Sequence, residues 1–148
     1  MLTETLKTLF RRELEKLKNE IELYKDASKL WVTDKGISNS AGNLCLHLIG
    51  NLNTYIGKEL GGTNYVRNRE LEFSQKGIPR EELLQKIDNT ILVVENALDK
   101  LTSRQLDEDY PVQVFDYKMT TCFFLVHLIA HLTYHMGQIN YHRRLIDC

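Results

Sequence analysis

Five histidines carry the chemistry that this sequence offers, and four of them fall close together: His127, His131, His135 and His142. An α-helix advances about 100° per residue, so a step of four drifts by only about 40°. His127, His131 and His135 therefore run along one helix face a turn apart. His142 returns close to the same line, with Gln138 on the same side. Two imidazoles four apart on a helix can share one metal ion, as in the zincins. A third ligand has to come from elsewhere, and the remaining histidine is His47. Its neighbours Leu44, Leu48 and Leu52 place it on or beside the apolar face of another helix, from which it can point into the same core.

Three imidazoles would leave open positions on the ion, the pattern of catalytic rather than structural zinc sites. Imidazole suits Zn, Cu, Fe and Ni alike. No HExxH is present, because Leu132 follows His131, so no helical Glu is poised as a zincin base. Glu59 and Asp116 are available carboxylates of unassigned placement. Activating a thiol needs no such base, since coordination itself deprotonates the sulfur. Asn51, one turn after His47, fits either a hydrogen bond to the ligand shell or an ordinary buried one. The plainer readings of the histidines are a pH-sensitive cluster and a chance stripe. Cys45 and Cys122 read as small core residues, and Trp31 with Tyr24 as core or the mouth of a pocket.

The 148 residues suit a single domain spanning 1–148. A net charge of -1 lacks the basic footprint of a nucleic-acid binder. The three cysteines, Cys45, Cys122 and Cys148, form no CxxC pair, which argues for a reducing compartment and against a disulfide framework. The N-terminus is charged within four residues, and no apolar run is long enough to span a bilayer. The expectation is a cytoplasmic protein with no nucleic-acid or membrane partner.

The elements that must position the histidines read as four long helices. Leu6, Phe10, Leu14, Leu17, Ile21 and Tyr24 step by threes and fours and predict a first helix from about Leu2 to Ser28. A loop around Thr33 to Gly36 leads to Ser38, Asn39 and Ser40, good caps for a second helix that stops at Gly61-Gly62. Residues 61–78 form a long polar connection, the mark of a crossover or a functional loop. Pro79 opens a third helix with an apolar stripe from Leu83 to Leu101. Residues 104–119 break the pattern, with a short extended piece or hairpin arm expected over 111–115. The fourth helix starts near Thr120-Thr121 and ends near Leu145. It is apolar nearly all round from Cys122 to Leu132, so it is expected to be the most buried. The fold class is all-α, a four-helix bundle with a long crossover between helices 2 and 3.

The strings ISNSAGNLCLHLIGNL, with His47, and HLTYHMGQINYHRR, with His131, His135 and Gln138, resemble the DinB-like (DinB/YfiT-type) family of metal-dependent proteins. The resemblance covers nearly the whole chain, including the helix order and the long second connection. It implies a four-helix bundle, commonly a homodimer, in which His47, His131 and His135 bind a divalent ion, usually Zn or Ni. Some relatives are S-transferases using bacillithiol or mycothiol, and another branch isomerises maleylpyruvate with a thiol cofactor. His127 and His142 are not part of that pattern.

Two functions follow as expectations. The first is a metal-dependent enzyme that activates a low-molecular-weight thiol, or water, against an electrophilic substrate. The second is a non-catalytic metal-binding stress-response or interaction protein whose ion props up the fold. His127 filling a fourth coordination position would favour the second.

Overall fold

The computed structural model describes residues 1–34 and 36–148; Lys35, in the expected loop after the first helix, lies outside them. The described residues are all-helical, with no strand. The long helices are α1 (Leu2–Leu23), α2 (Ala41–Leu52), α4 (Arg80–Asp99) and α6 (Thr121–Ile146), and the short ones are α3 (Arg69–Ser74) and α5 (Ser103–Asp107). A 3-10 turn, Ala27–Trp31, precedes α2, and a π-helical turn, Asn53–Lys58, prolongs it. No helix among the described residues is long and apolar enough to cross a membrane.

α1 ends at Leu23, five residues before the expected Ser28, because other parts of the chain satisfy its exposed end. Arg80 donates to the carbonyls of Glu22 and Tyr24 at 3.1 and 2.7 Å. Asp147, just past α6, accepts the backbone N–H groups of Lys25 and Asp26. These bonds replace the helical partners that a longer helix would supply. The apolar stripe is placed as its period dictates: Leu6, Phe10, Leu14, Leu17, Ile21 and Tyr24 are all buried. α1 packs on α4 and α6, and α2 packs on the same two helices.

α2 begins where its cap predicts, with Ser40 Oγ accepting the N–H of Asn43. Every residue from Ala41 to Leu52 is buried, so α2 is the most enclosed helix. That corrects the expectation for α6. α4, α6, α3 and the 3-10 turn all pack against α2 and leave none of its residues exposed, whereas α6 keeps one face in solvent. Phe123, Val126, Tyr134, Tyr141 and Leu145 of α6 are exposed. Apolar circumference alone therefore misjudged which helix is central.

The connection 61–78 carries a helix too short for its period to be read, α3, capped by Asn68 on the N–H of Leu71. The Asn43 amide of α2 donates to the carbonyls of Glu72 and Gln75 at 2.9 and 2.8 Å and ties α3 down. Over 109–120 the chain forms no strand; one isolated antiparallel bridge, Asp109 to Thr120, closes the loop.

Candidate metal centre

α2 and α6 bring three histidines to one point. His47 Nε2 lies 3.2 Å from His131 Nε2, and His135 Nε2 lies 3.2 Å from the same atom. The three ligand atoms fall within 4.8 Å of one another. A tetrahedral ion with bonds of 2.0–2.1 Å separates its nitrogen ligands by roughly 3.3–3.4 Å, so the spacing is close to that of a coordination shell. The i, i+4 step of α6 sets one edge of the triangle, and the packing of α2 on α6 sets another.

The other ring nitrogens show which way the lone pairs point. His47 Nδ1 lies 3.0 Å from Glu72 Oε1, and an ionised carboxylate only accepts, so Nδ1–H donates. His135 Nδ1 lies 2.7 Å from Gln138 Oε1 and donates likewise. In their neutral forms both rings then present a bare Nε2 lone pair to His131. The single proton of a neutral His131 can satisfy only one of them. His131 Nδ1 is buried and has no hydrogen-bond partner among the described residues. A cation at the centre resolves this arrangement, because three converging lone pairs are a donor set for a metal. The residues present therefore fit a divalent ion.

Burial favours the neutral forms of His131 and His135. Burial, with the neighbouring His135, His47, His127 and Arg67, lowers the His131 pKa to about 4. Burial also lowers that of His135, against the raising effect of Gln138. Burial alone would raise the Glu72 carboxyl, but hydrogen bonds from His47 and Arg67 outweigh it and hold the group below its ordinary value. Arg67 grips Glu72 with two nitrogens, Nε to Oε2 at 2.8 Å and Nη2 to Oε1 at 3.0 Å. This bidentate, charge-assisted pair fixes the acceptor that orients His47.

Gly50 makes room for that acceptor. A Cβ at this position would overlap the Glu72 carboxylate, so α2 can carry only glycine there while Glu72 keeps its place. Neither Glu72 nor Arg67 stands out in the sequence.

The remaining candidates separate. His127 is exposed and stands outside the triad, its ring stacked on Phe124 at 5.8 Å and 9°. His142 is buried away from the triad, accepting from the Tyr24 hydroxyl at Nδ1 and donating from Nε2 to the Val32 carbonyl, both at 2.7 Å. Asn51 makes no bond to the ligand shell; its Oδ1 is buried without a partner and the residue lines an adjoining cavity. Cys45 is wholly buried, which pushes its thiol up to about 12, as suits a core residue.

Two cavities flank the triad. One, of about 430 Å³, opens on His47 and His131 and is walled by Tyr55, Phe115, Phe124 and Arg69. The other, of about 450 Å³, opens on His135 and is walled by Ile37, Leu44, Tyr134 and Tyr141. The π-helical turn helps to shape the first. Its Tyr55 carbonyl accepts from the Tyr110 hydroxyl, while Arg67 lies over the Tyr55 ring.

Similarity to known proteins agrees with the fold. A crystal structure of a conserved protein from Enterococcus faecalis superposes with a TM-score of 0.77 at 16% identity, over 99% of this chain and 97% of that one. No curated protein matches the sequence. The family described as "Protein of unknown function (DUF1572)" matches residues 2–147, and the chain belongs to it.

Proposed function

We propose that this protein is a metal-dependent enzyme that activates a low-molecular-weight thiol, or water, for attack on an electrophile. The observation that carries the reading is the convergence of three Nε2 atoms from two helices beside two cavities. A divalent ion on three imidazoles would supply a Lewis acid with open coordination positions and would lower the pKa of a bound thiol or water. The chain's own residues prepare that site. Glu72 and Gln138 hold the protons of His47 and His135 on Nδ1, so that Nε2 faces inward. Burial keeps His131 unprotonated well below neutral pH. The cavities on either side give room for two reactants to meet at the triad.

The finer assignments rest on the resemblance to DinB-like proteins. We read the pairing of α1 and α2 with α4 and α6 as a four-helix bundle with a long crossover through α3. Zn or Ni is the ion that the resemblance suggests, and bacillithiol-type S-transfer the reaction. A homodimer would cover part of the exposed apolar face of α6. The non-catalytic reading would need a closed coordination sphere, and His127, its ring 6.5 Å from that of His131, is not among the converging ligand atoms.

Elemental mass spectrometry of the untagged protein tests the reading first. About one ion per chain is expected, lost in His47→Ala and in His131→Ala. The loaded protein is then assayed for thiol conjugation and hydrolysis over a broad electrophile panel. No ion after incubation with zinc or nickel, or no turnover on any substrate, would remove the enzyme reading.

A further inference from the structure

We propose that the cavity on the His47–His131 side takes a reactant bearing an oxyanion, a carboxylate or a phosphate, and that Arg69 is the residue that holds it. The inference rests on the reading of the triad as a metal site and adds the chemical class of what binds beside it.

Charge makes the case. Two arginines line this cavity, and no Asp or Glu does among its described lining residues. Arg67 is committed, because both carboxylate oxygens of Glu72 engage it. Among the described residues Arg69 is paired with no acidic side chain; its guanidinium lies over the Phe73 ring at 5.6 Å. Stacking on a ring steadies a guanidinium while leaving its in-plane N–H groups free for a planar oxyanion. A divalent ion at the triad would add to the positive field of the same cavity.

Two further features suit an organic ligand rather than a bare ion. Phe115, Phe124 and Tyr55 provide aromatic walls. Asn51 lines the same space, and its Oδ1 is buried without a hydrogen-bond partner among the described residues. The cavity on the other side of His135 differs in kind. Its described lining includes Ile37, Leu44, Tyr134, Tyr141 and Leu145, which give it a more apolar wall. The two arginines of the first cavity are what assign the anion to it, with Arg69 as its holder.

The test uses the cobalt-loaded full chain, whose visible spectrum reports ligands at the ion. The probes are 3-mercaptopropionate, its uncharged amide, propionate and inorganic phosphate. A charge-assisted bidentate contact predicts about tenfold tighter binding of the carboxylate thiol than of its amide. That ratio should fall to about one in Arg69→Ala and recover in part in Arg69→Lys. Competition by phosphate against the carboxylate thiol, beyond that of propionate, would identify phosphate as the preferred oxyanion. Equal binding of the two thiols, or a preference that survives Arg69→Ala, would overturn the inference and leave thiol activation standing. If neither thiol reaches the ion but propionate or phosphate still perturbs the spectrum through Arg69, thiol activation falls and the anion site stands. No response to any probe removes both.

Discussion

Glu72 Oε1 accepts the Nδ1–H of His47 at 3.0 Å, joining the short helix of the long connection to the middle of α2. Through this bond a loop residue decides which nitrogen of a core histidine faces the triad. Carboxylate–histidine pairs of this kind typically contribute 10–100-fold to metal affinity. Glu72→Gln, which keeps the shape and removes the charge, is expected to weaken zinc binding by about that factor, as read by calorimetry. Arg67→Ala should act in the same direction, because it frees the carboxylate from its clamp. Unchanged affinity in both variants would mean that packing alone orients His47.

Gly50 offers a sharper version of that experiment. An added methyl would overlap the Glu72 carboxylate, which sits at the far end of a side chain that can swing away. Alanine also improves helix propensity by up to about 1 kcal/mol, which offsets part of the lost contacts. Gly50→Ala should therefore stay within about 1 kcal/mol of wild-type stability, while its metal affinity falls as in Glu72→Gln. Denaturant melts and metal titrations on the same sample would check the pair of outcomes. A variant that binds metal normally would show that Glu72 need not sit where it does.

Much of this site was legible in the sequence, for a definite reason. His131 and His135 repeat at the helical period, and His47 stands in a run of leucines, so periodicity alone put them on inward faces of two helices. Glu72 and Arg67 have no such signal. Their position depends on the grip of Asn43 on the carbonyls of Glu72 and Gln75, a tertiary contact that no local pattern announces. His142 illustrates the converse. It shares an angular position with His131, but eleven residues of helix rise about 16 Å, far beyond one coordination sphere. α6 was misjudged because its apolar residues outnumber those that its neighbours can cover: Phe123, Val126 and Leu145 are left in solvent.

His142 should accordingly behave as a structural residue. Its ring bridges the Tyr24 hydroxyl and the Val32 carbonyl in a buried setting. His142→Ala would leave both partners unsatisfied around a void and should destabilise the protein by about 2–4 kcal/mol. Metal content should remain at the wild-type level. A loss of metal with no loss of stability would place His142 among the ligands instead.

The triad also predicts how the metal-free protein responds to acid. Burial is the largest cause of the low His131 pKa, about 4 against an ordinary 6.5, and His135 is lowered for the same first reason. Between those values the unfolded chain binds more protons than the native one, so native stability rises with pH across the window. Above about 6.5 both states hold the ring neutral and the dependence from His131 vanishes. Chelator-treated protein should therefore lose thermal stability as pH falls from 6.5 toward 4, and His131→Gln should flatten that slope. Loading with zinc should move the onset to lower pH, since the ion competes with protons for the same nitrogens. An equally steep slope in His131→Gln would assign the acid sensitivity to other groups and leave the burial of this imidazole without a measurable cost.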